Sequence, residues 1–509
     1  MDKPLNNILN TVLIAALFFY CISAYASTDT LSLFPIEKYD QKITDWVSPA
    51  DPSYTKALLT PEQQTLRQAE LYRHYFGKES PWNADYIHLL FSQKAPDDLF
   101  SLETSKVLSL TNQNQPANKI GYGSNFRPYS DQWFAQIKNN IHLQQFVGQK
   151  YDSMNRAIAI TNIQSRELPT EEPHFYSYKL AGEGYPFDNA QAVVIWAGTP
   201  LYVLGETTDR LWSFVLTPSF IGWVKNTEIA KADARFVSEW IKVSRQHLAA
   251  ITNTRIAIVD IENNIPRFPG YIGMLFPGIK TPKGIQILIP VMDQKQQAHI
   301  HHAEPSIQDI ALVPMLPTPQ HFSTLMQKLL GRTYGWGGMY FYNDCSSELK
   351  NIYSVFGIWL PIHSTNQVDP QQVLGKAEDL SSSEPDGNMR SAYLMAHGHP
   401  WMTIIHVGGH VLDYLGSYPN PDDPTHRLAP LSYQAMWGFG AVTGVARRAV
   451  VGQSVILPLL TSYPEDPELR SHLSKTTFQL LYLDELPSGT TLAEVVGMMK
   501  VNLKTLLSP

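Results

Sequence analysis

Only two of the 509 residues are cysteines, Cys21 and Cys345. Cys345 stands in the stretch Tyr334-Gly335-Trp336-Gly337-Gly338-Met339-Tyr340-Phe341-Tyr342-Asn343-Asp344-Cys345-Ser346-Ser347. Asp344 is a good N-cap, and Leu349, Ile352, Tyr353 and Phe356 recur at helical spacing up to Gly357. The thiol is therefore expected in the first turn of a helix. A helix N-terminus favours the thiolate, and its free backbone N–H groups can receive a developing oxyanion.

A nucleophilic thiol needs a base. The chain has sixteen histidines, so context has to choose among them. Residues 402–407 read as a strand, Gly408-Gly409 as a turn, and His410-Val411-Leu412-Asp413-Tyr414-Leu415-Gly416 as the next strand. His410 opens that strand and is expected to face a cleft. His406 is the competitor, and it also fits a satisfied core histidine. A third polar residue commonly fixes the imidazole tautomer. If residues 431–438 pair with the His410 strand, Gln434 can hydrogen-bond the ring. A neutral Gln434 adds no charge, so a Cys345–His410 ion pair would rest on the helix terminus and the imidazolium.

His299 and His301 alternate on a strand-like run, which puts them on one face as a metal pair would need. No further ligands follow at a recognisable spacing. The expectation is no metal and no cofactor.

These residues need elements to hold them. A length of 509 residues suggests roughly three or four domains. Thr60, Pro61 and Gln63 form a helix start, with an apolar face of Leu66, Ala69, Leu71, Tyr72, Tyr75 and Phe76 before Gly77. From about residue 175 the pattern turns to short strands at 192–196, 200–203, 212–216 and 222–224, which predicts a small barrel. A helix over 233–248 leads to a second strand set at 255–260, 272–276 and 284–291. Thr318-Pro319 starts another helix, ending at Gly331, which delivers the chain to the cysteine stretch.

The first 26 residues read as a secretory signal. Lys3 begins it, 12–21 is nearly all apolar, and Ala24-Tyr25-Ala26 is a cleavage site. The apolar run is short of the ~20 residues a membrane-spanning helix needs. Export removes Cys21 and leaves Cys345 as a lone thiol in an oxidising compartment, periplasmic or extracellular. The net charge is −7 without a basic run, which argues against a nucleic-acid partner. No stable membrane span is expected after cleavage, and the mature chain is expected to be monomeric.

The run Gly-x-Pro-Leu-Tyr-Val … Arg-Leu-Trp-Ser-Phe-Val … Gly-Trp-Val resembles bacterial SH3-like domains. Tyr-Gly-Trp-Gly-Gly … Asn-Asp-Cys-Ser, followed by Gly-Gly-His-Val-x-x-Tyr-Leu-Gly and Gln-Ala-Met-Trp-Gly, resembles the NlpC-type cysteine peptidases, papain-like hydrolases of peptidoglycan. Phe-Gly-Ile-Trp-Leu-Pro at 356–361 resembles the subgroup with a helical N-terminal domain and two SH3-like domains. The resemblance implies a multidomain α+β chain. Its parts would be a signal (1–26), a helical stabilising domain (27–155), SH3-like domains (156–235 and 236–315) and a papain-like α+β catalytic domain (316–509). It implies cleavage of the bond between γ-D-glutamate and meso-diaminopimelate or L-lysine in stem peptides or muropeptides. Cys345, His410 and Gln434 would be catalytic. Asp344 and Ser346, with Trp336 and a tyrosine of the first SH3-like domain, would bind substrate and read its L-alanine amine; Tyr185 is the candidate tyrosine. Amidase or acyl-transfer chemistry on the same fold, or a non-catalytic wall-binding role, are the other readings. Asp413 departs from the family pattern, which is apolar there. Its face should be exposed, or it should have a polar partner.

Overall fold

The computed structural model describes residues 31–420, 423–442 and 447–507. The expected signal, with Cys21, lies outside them. Among the described residues no helix is long and apolar enough to cross a membrane.

The helical part opens as its capping chemistry predicts. Helix α1 spans Pro61–Phe76; Thr60 Oγ1 accepts from the Gln63 N–H at 3.2 Å, and Gln63 Oε1 accepts from the Thr60 N–H at 2.8 Å. Leu66, Leu71 and Phe76 are buried as expected, but so are Arg67 and Glu70, an ion pair at 3.2 Å. The reason is position: α1 lies against the last part of the chain. Arg67 donates to the Leu483 carbonyl, and Glu70 accepts from the Leu374 N–H at 2.8 Å. Helices α2 (Ala84–Phe91), α3 (Leu99–Ser109) and α4 (Asp131–Ile141) follow. Buried side chains of all three share a core with the first barrel, and Trp223 Nε1 donates to Glu103 of α3 at 3.1 Å.

One part of the expected 27–155 helical domain belongs elsewhere. Residues Leu31–Leu33 form strand β1, which pairs in parallel with strand β20 of the last sheet (Arg448–Pro458). Phe34 and Tyr39 pack there too, against Phe439 and Tyr463.

The first barrel holds the four predicted strands, here β4 (Gln191–Ile195), β5 (Pro200–Glu206), β6 (Trp212–Leu216) and β7 (Ile221–Lys225), and three that the sequence pattern did not mark, β2 (Arg156–Ala159), β3 (Ile163–Arg166) and β8 (Ile229–Lys231). They are ordered β4-β3-β7-β6-β5-β2-β8. Helix α5 (Ala234–Gln246) leads to the second unit. There β9 (Leu248–Ile251), β12 (Leu275–Thr281), β13 (Gly284–Met292), β14 (Ala298–Ala303) and β15 (Ile310–Val313) make a sheet ordered β14-β13-β12-β9-β15. A hairpin of β10 (Ile256–Asp260) and β11 (Ile265–Gly270) completes the unit. The strand expected at 272–276 begins only at Leu275. Gly273 sits at φ +87°, against the backbone of Asn351, whose carbonyl oxygen would be 2.2 Å from an added Cβ.

In the last part, α6 (Pro319–Gln327) stops one turn before the Gly331 that was expected to end it. Helix α7 (Cys345–Val355) then packs on β18 (Val411–Pro419) and β19 (Leu428–Gly440). These belong to a mostly antiparallel sheet ordered β1-β20-β19-β18-β17-β21-β16, with β16 at Lys376–Asp379, β17 at Thr403–His406 and β21 at Gln479–Tyr482. Helix α8 (Gly387–His397) packs near β19. The chain then turns back. Val495 packs with Leu66 of α1, and Leu503, Leu506 and Leu507 enter the core of the first barrel. Asp413 is buried rather than exposed, but neither carboxyl oxygen finds a hydrogen-bond partner among the described residues. Burial drives its carboxyl well up, to the neutral acid, beside Tyr353 of α7. The Tyr353 hydroxyl donates to the Trp401 carbonyl at 2.8 Å.

Candidate active site

The turn before Cys345 is held by the first barrel. Gly337 (φ +56°) and Gly338 (φ +78°) adopt the left-handed backbone that glycine permits. A Cβ on Gly337 would lie 2.6 Å from the Ala192 carbonyl oxygen, and one on Gly338 2.4 Å from Val194 Cγ2. Gln191 Nε2 donates to the Gly337 carbonyl at 3.0 Å, and the Tyr340 N–H donates to Gln164 Oε1 at 2.8 Å. Strands β3 and β4 thus set where the thiol's loop runs.

Helix α7 starts at Cys345 as expected. Asp344 Oδ1 accepts from the Ser347 N–H at 2.9 Å and the Ser347 hydroxyl at 2.7 Å, and the Asp344 N–H donates to Ser347 Oγ at 2.9 Å. Ser346 Oγ also donates to Asp344 Oδ1, at 3.3 Å. Cys345 is a buried free thiol. Burial, then the Asp344 carboxylate, push the thiol up to about 12, against the backbone N–H groups of Val411, Ser346 and Cys345 that point at its sulfur. The Val411 contact sets the His410 backbone one residue from the sulfur.

Strands β18 and β19 pair as the Gln434 argument required. His410 Nε2 lies 2.8 Å from Gln434 Oε1. Which way the carboxamide faces follows from its neighbours. Ser432 Oγ spends its only proton on the Leu457 carbonyl (2.9 Å), so it can only accept from Gln434 Nε2 (3.1 Å). Gln434 Oε1 therefore faces His410, and His410 must carry its proton on Nε2. Its Nδ1 is left with the lone pair. Burial pushes the imidazole down to about 4, and Lys475 and His406 add to this against the Gln434 hydrogen bond. Each group is thus shifted toward its neutral form, which works against the expected ion pair. Both shifts have burial as their largest cause.

Gln434 has a further partner that the sequence did not disclose. His472, buried in a short turn of 3-10 helix, places its Nε2 3.0 Å from the same Oε1. His406, the rival base, has both nitrogens engaged. Nδ1 meets Gln479 Oε1 at 3.0 Å, and Nε2 accepts from the Gly409 N–H at 3.2 Å.

A cleft of about 620 Å³ opens over the thiol. Cys345, Asp344, Ser346, Trp336 and Gly409 line it, with Gln191 to Val193 of the barrel, Lys106 of α3, and Tyr176. Burial raises the Asp344 carboxyl, against hydrogen bonds from Ser347, Ser346 and the Gly337 N–H. Trp336 is partly exposed and packs edge-on against Phe187, with ring centroids 5.2 Å apart. Tyr185 is not brought to this lining. It is half-exposed and packs on Phe126 (5.6 Å) and Phe175 (5.2 Å). The barrel tyrosine in the cleft is Tyr176, with Lys119 4.6 Å above its ring. Nothing in the sequence around Tyr176 distinguishes it from Tyr178 and Tyr185.

The histidine run at 299–302 does not converge. His299 turns to Asp293 (2.9 Å), His302 to Glu262, and His301 to Asp260 (2.8 Å). Asp260, Glu262 and His301 could bring ligand atoms within 4.8 Å of one another. The Arg267 guanidinium already pairs with Asp260 and holds its carboxyl well below the usual range, so this is a charge network of the second unit.

Residues 173–225 match the profile of SH3 domains of the SH3b1 type, within the first barrel. A search of curated proteins finds no match. Among solved structures, an NlpC/P60 endopeptidase from Photobacterium damselae subsp. piscicida superposes with a TM-score of 0.74 at 24% identity, over 90% of this chain and 100% of that one. An NlpC/P60 family protein from Bacillus cereus aligns at 15% identity over 62% of this chain and 98% of its own, with a TM-score of 0.39. NlpC2 from Trichomonas vaginalis aligns at 11% identity over 65% and 98%, with a TM-score of 0.23. The chain shares the fold of the Photobacterium endopeptidase along nearly its whole length, and it contains an SH3b1-type domain.

Proposed function

We propose that this chain is an exported cysteine endopeptidase of peptidoglycan. It cuts the bond between γ-D-glutamate and the following diamino acid in stem peptides. The observation that carries the reading is the buried Cys345 at a helix N-terminus, met by the backbone N–H of Val411, the residue after a histidine whose Nδ1 is left unprotonated by Gln434. The fold shared with the Photobacterium endopeptidase supports it.

Cys345 Sγ attacks the amide carbonyl carbon as its proton passes to His410 Nδ1. The first-turn N–H groups of α7 receive the oxyanion. The C–N bond breaks, and His410 returns the proton to the departing amine. A water then gives a proton to His410 and attacks the thioester, and the thiol is regenerated with that proton. Because thiol and imidazole are each shifted toward the neutral form, proton transfer accompanies the attack. Asp344, on the cleft wall, takes the free ammonium of the substrate's L-alanine end, and Ser346 and Trp336 help to seat the peptide. A buried carboxylate rejects an amine that has lost its charge by acylation. Tyr176 takes the barrel-tyrosine role for which Tyr185 was the candidate.

Mass spectrometry of purified muropeptides after incubation tests this. The expected products are the dipeptide ending in γ-D-glutamate and the released diamino acid fragment. Peptides with a free L-alanine amine should be cut faster than amine-substituted ones. Release of intact stem peptide from the sugar, or transfer products, would move the reading to amidase or acyl-transfer chemistry.

A further inference from the structure

His472 has no place in the mechanism above, yet it is built into the site. It is buried, and its Nε2 lies 3.0 Å from Gln434 Oε1. His410 approaches the same oxygen at 2.8 Å. A carboxamide oxygen has two lone pairs and no proton, so it can accept one N–H from each ring. The two imidazoles lie nearly parallel, with centroids 5.2 Å apart at 25°. Phe439 also packs on His472, with ring centroids 5.2 Å apart. The Nδ1 of His472 is buried without a partner among the described residues. A buried ring with one bare nitrogen is a poor choice for packing alone, since an apolar ring would fill the space without that cost. Its side-chain hydrogen bond to Gln434 is what distinguishes it from a phenylalanine.

We propose that His472 is a positioning residue. Its Nε2–H occupies one lone pair of Gln434 Oε1 and locks the carboxamide, so that the other lone pair holds His410 in the Nε2–H tautomer with Nδ1 free. This rests on the reading of Cys345 and His410 as nucleophile and base. Without His472, Gln434 keeps only the weaker hold of Ser432 on its Nε2. The amide can then rotate, and His410 samples the tautomer whose Nδ1 carries a proton and cannot act as base. Neighbouring positive charge works in the same direction as the lock. Burial disfavours an imidazolium at both rings, and Lys475 adds to this at each.

Two variants separate this from a packing role. His472→Phe keeps a ring beside Phe439 and removes the donor; His472→Gln restores an N–H donor near the place of Nε2. For the full mature chain acting on a stem peptide, H472F should lower kcat by about 10-fold or more with KM little changed, and H472Q should recover most of the loss. 15N NMR of the imidazoles at neutral pH reads the lock directly, with or without turnover. His410 should give a single Nε2–H tautomer in the wild type and in H472Q, and a mixture in H472F. A His410 tautomer unchanged in H472F overturns the proposal, as does equal loss of kcat in both variants. If the wild type cuts no stem peptide but the NMR shift appears, the lock stands and the reaction assigned above falls.

Discussion

At the scale of residues, the active centre is set by burial more than by charge. Cys345 is pushed up to about 12 and His410 down to about 4, and in both cases desolvation is the largest cause. The helix N-terminus favours a thiolate, but it does not overcome burial and the adjacent Asp344. Alkylation of Cys345 by iodoacetamide in the mature chain should therefore be slow at neutral pH. It should climb steadily from pH 7 to pH 10 without levelling, since the thiolate fraction grows toward a value near 12. A plateau already reached below pH 7 would reveal a resting ion pair. Much of this centre is legible in the sequence. The cap at Asp344, the strand opened by His410 and the pairing that brings Gln434 to it follow from local pattern. His472 is not legible, because it lies 38 positions beyond Gln434 in a segment with no periodicity. The protonation state is not legible either, because it depends on how completely the barrel closes over the thiol.

At the scale of elements, a barrel strand positions the nucleophile's loop. Gly337 and Gly338 press on β4 where no Cβ fits, and Gln191 and Gln164 hold the loop's backbone. Gly338→Ala adds a methyl 2.4 Å from Val194 Cγ2 at a φ of +78°. It should destabilise the chain by about 1–3 kcal/mol, seen as a lower urea midpoint. It should also lower kcat/KM by moving Cys345 relative to His410. Unchanged stability and turnover would mean that the barrel contact is incidental. Glycines at turns are easy to see in sequence, but their partner is not. The Gly-Gly pair reads as a turn, and only the fold reveals that β4 is what it turns against. The same holds at Gly273, where contact with α7 delays a strand predicted from its apolar run.

At the scale of the whole molecule, the two ends of the chain bind the parts together. Strand β1 adds to the edge of the last sheet, and the C-terminal residues return to α1 and the first barrel. Domain boundaries read from composition shifts miss such returns, because a strand of three residues and a few apolar side chains leave no pattern of their own. Removing the chain from Pro487 onward would uncover the sites of Val495, Leu503, Leu506 and Leu507, all buried. At about 1.5–3 kcal/mol for each fully buried side chain, the loss should reach several kcal/mol and lower the thermal midpoint markedly. A melting curve matching the full chain would show that the return is not needed for stability. All of these parts converge on one thiol, Cys345. A stem tetrapeptide with a free L-alanine amine is incubated with wild type and with Cys345→Ala, and the products are weighed by mass spectrometry. The wild type should release the dipeptide ending in γ-D-glutamate, and the variant, with an unchanged melting curve, should be slower by at least about 10⁴-fold. Cleavage at the wild-type rate by a folded Cys345→Ala protein would mean that Cys345 is not the nucleophile.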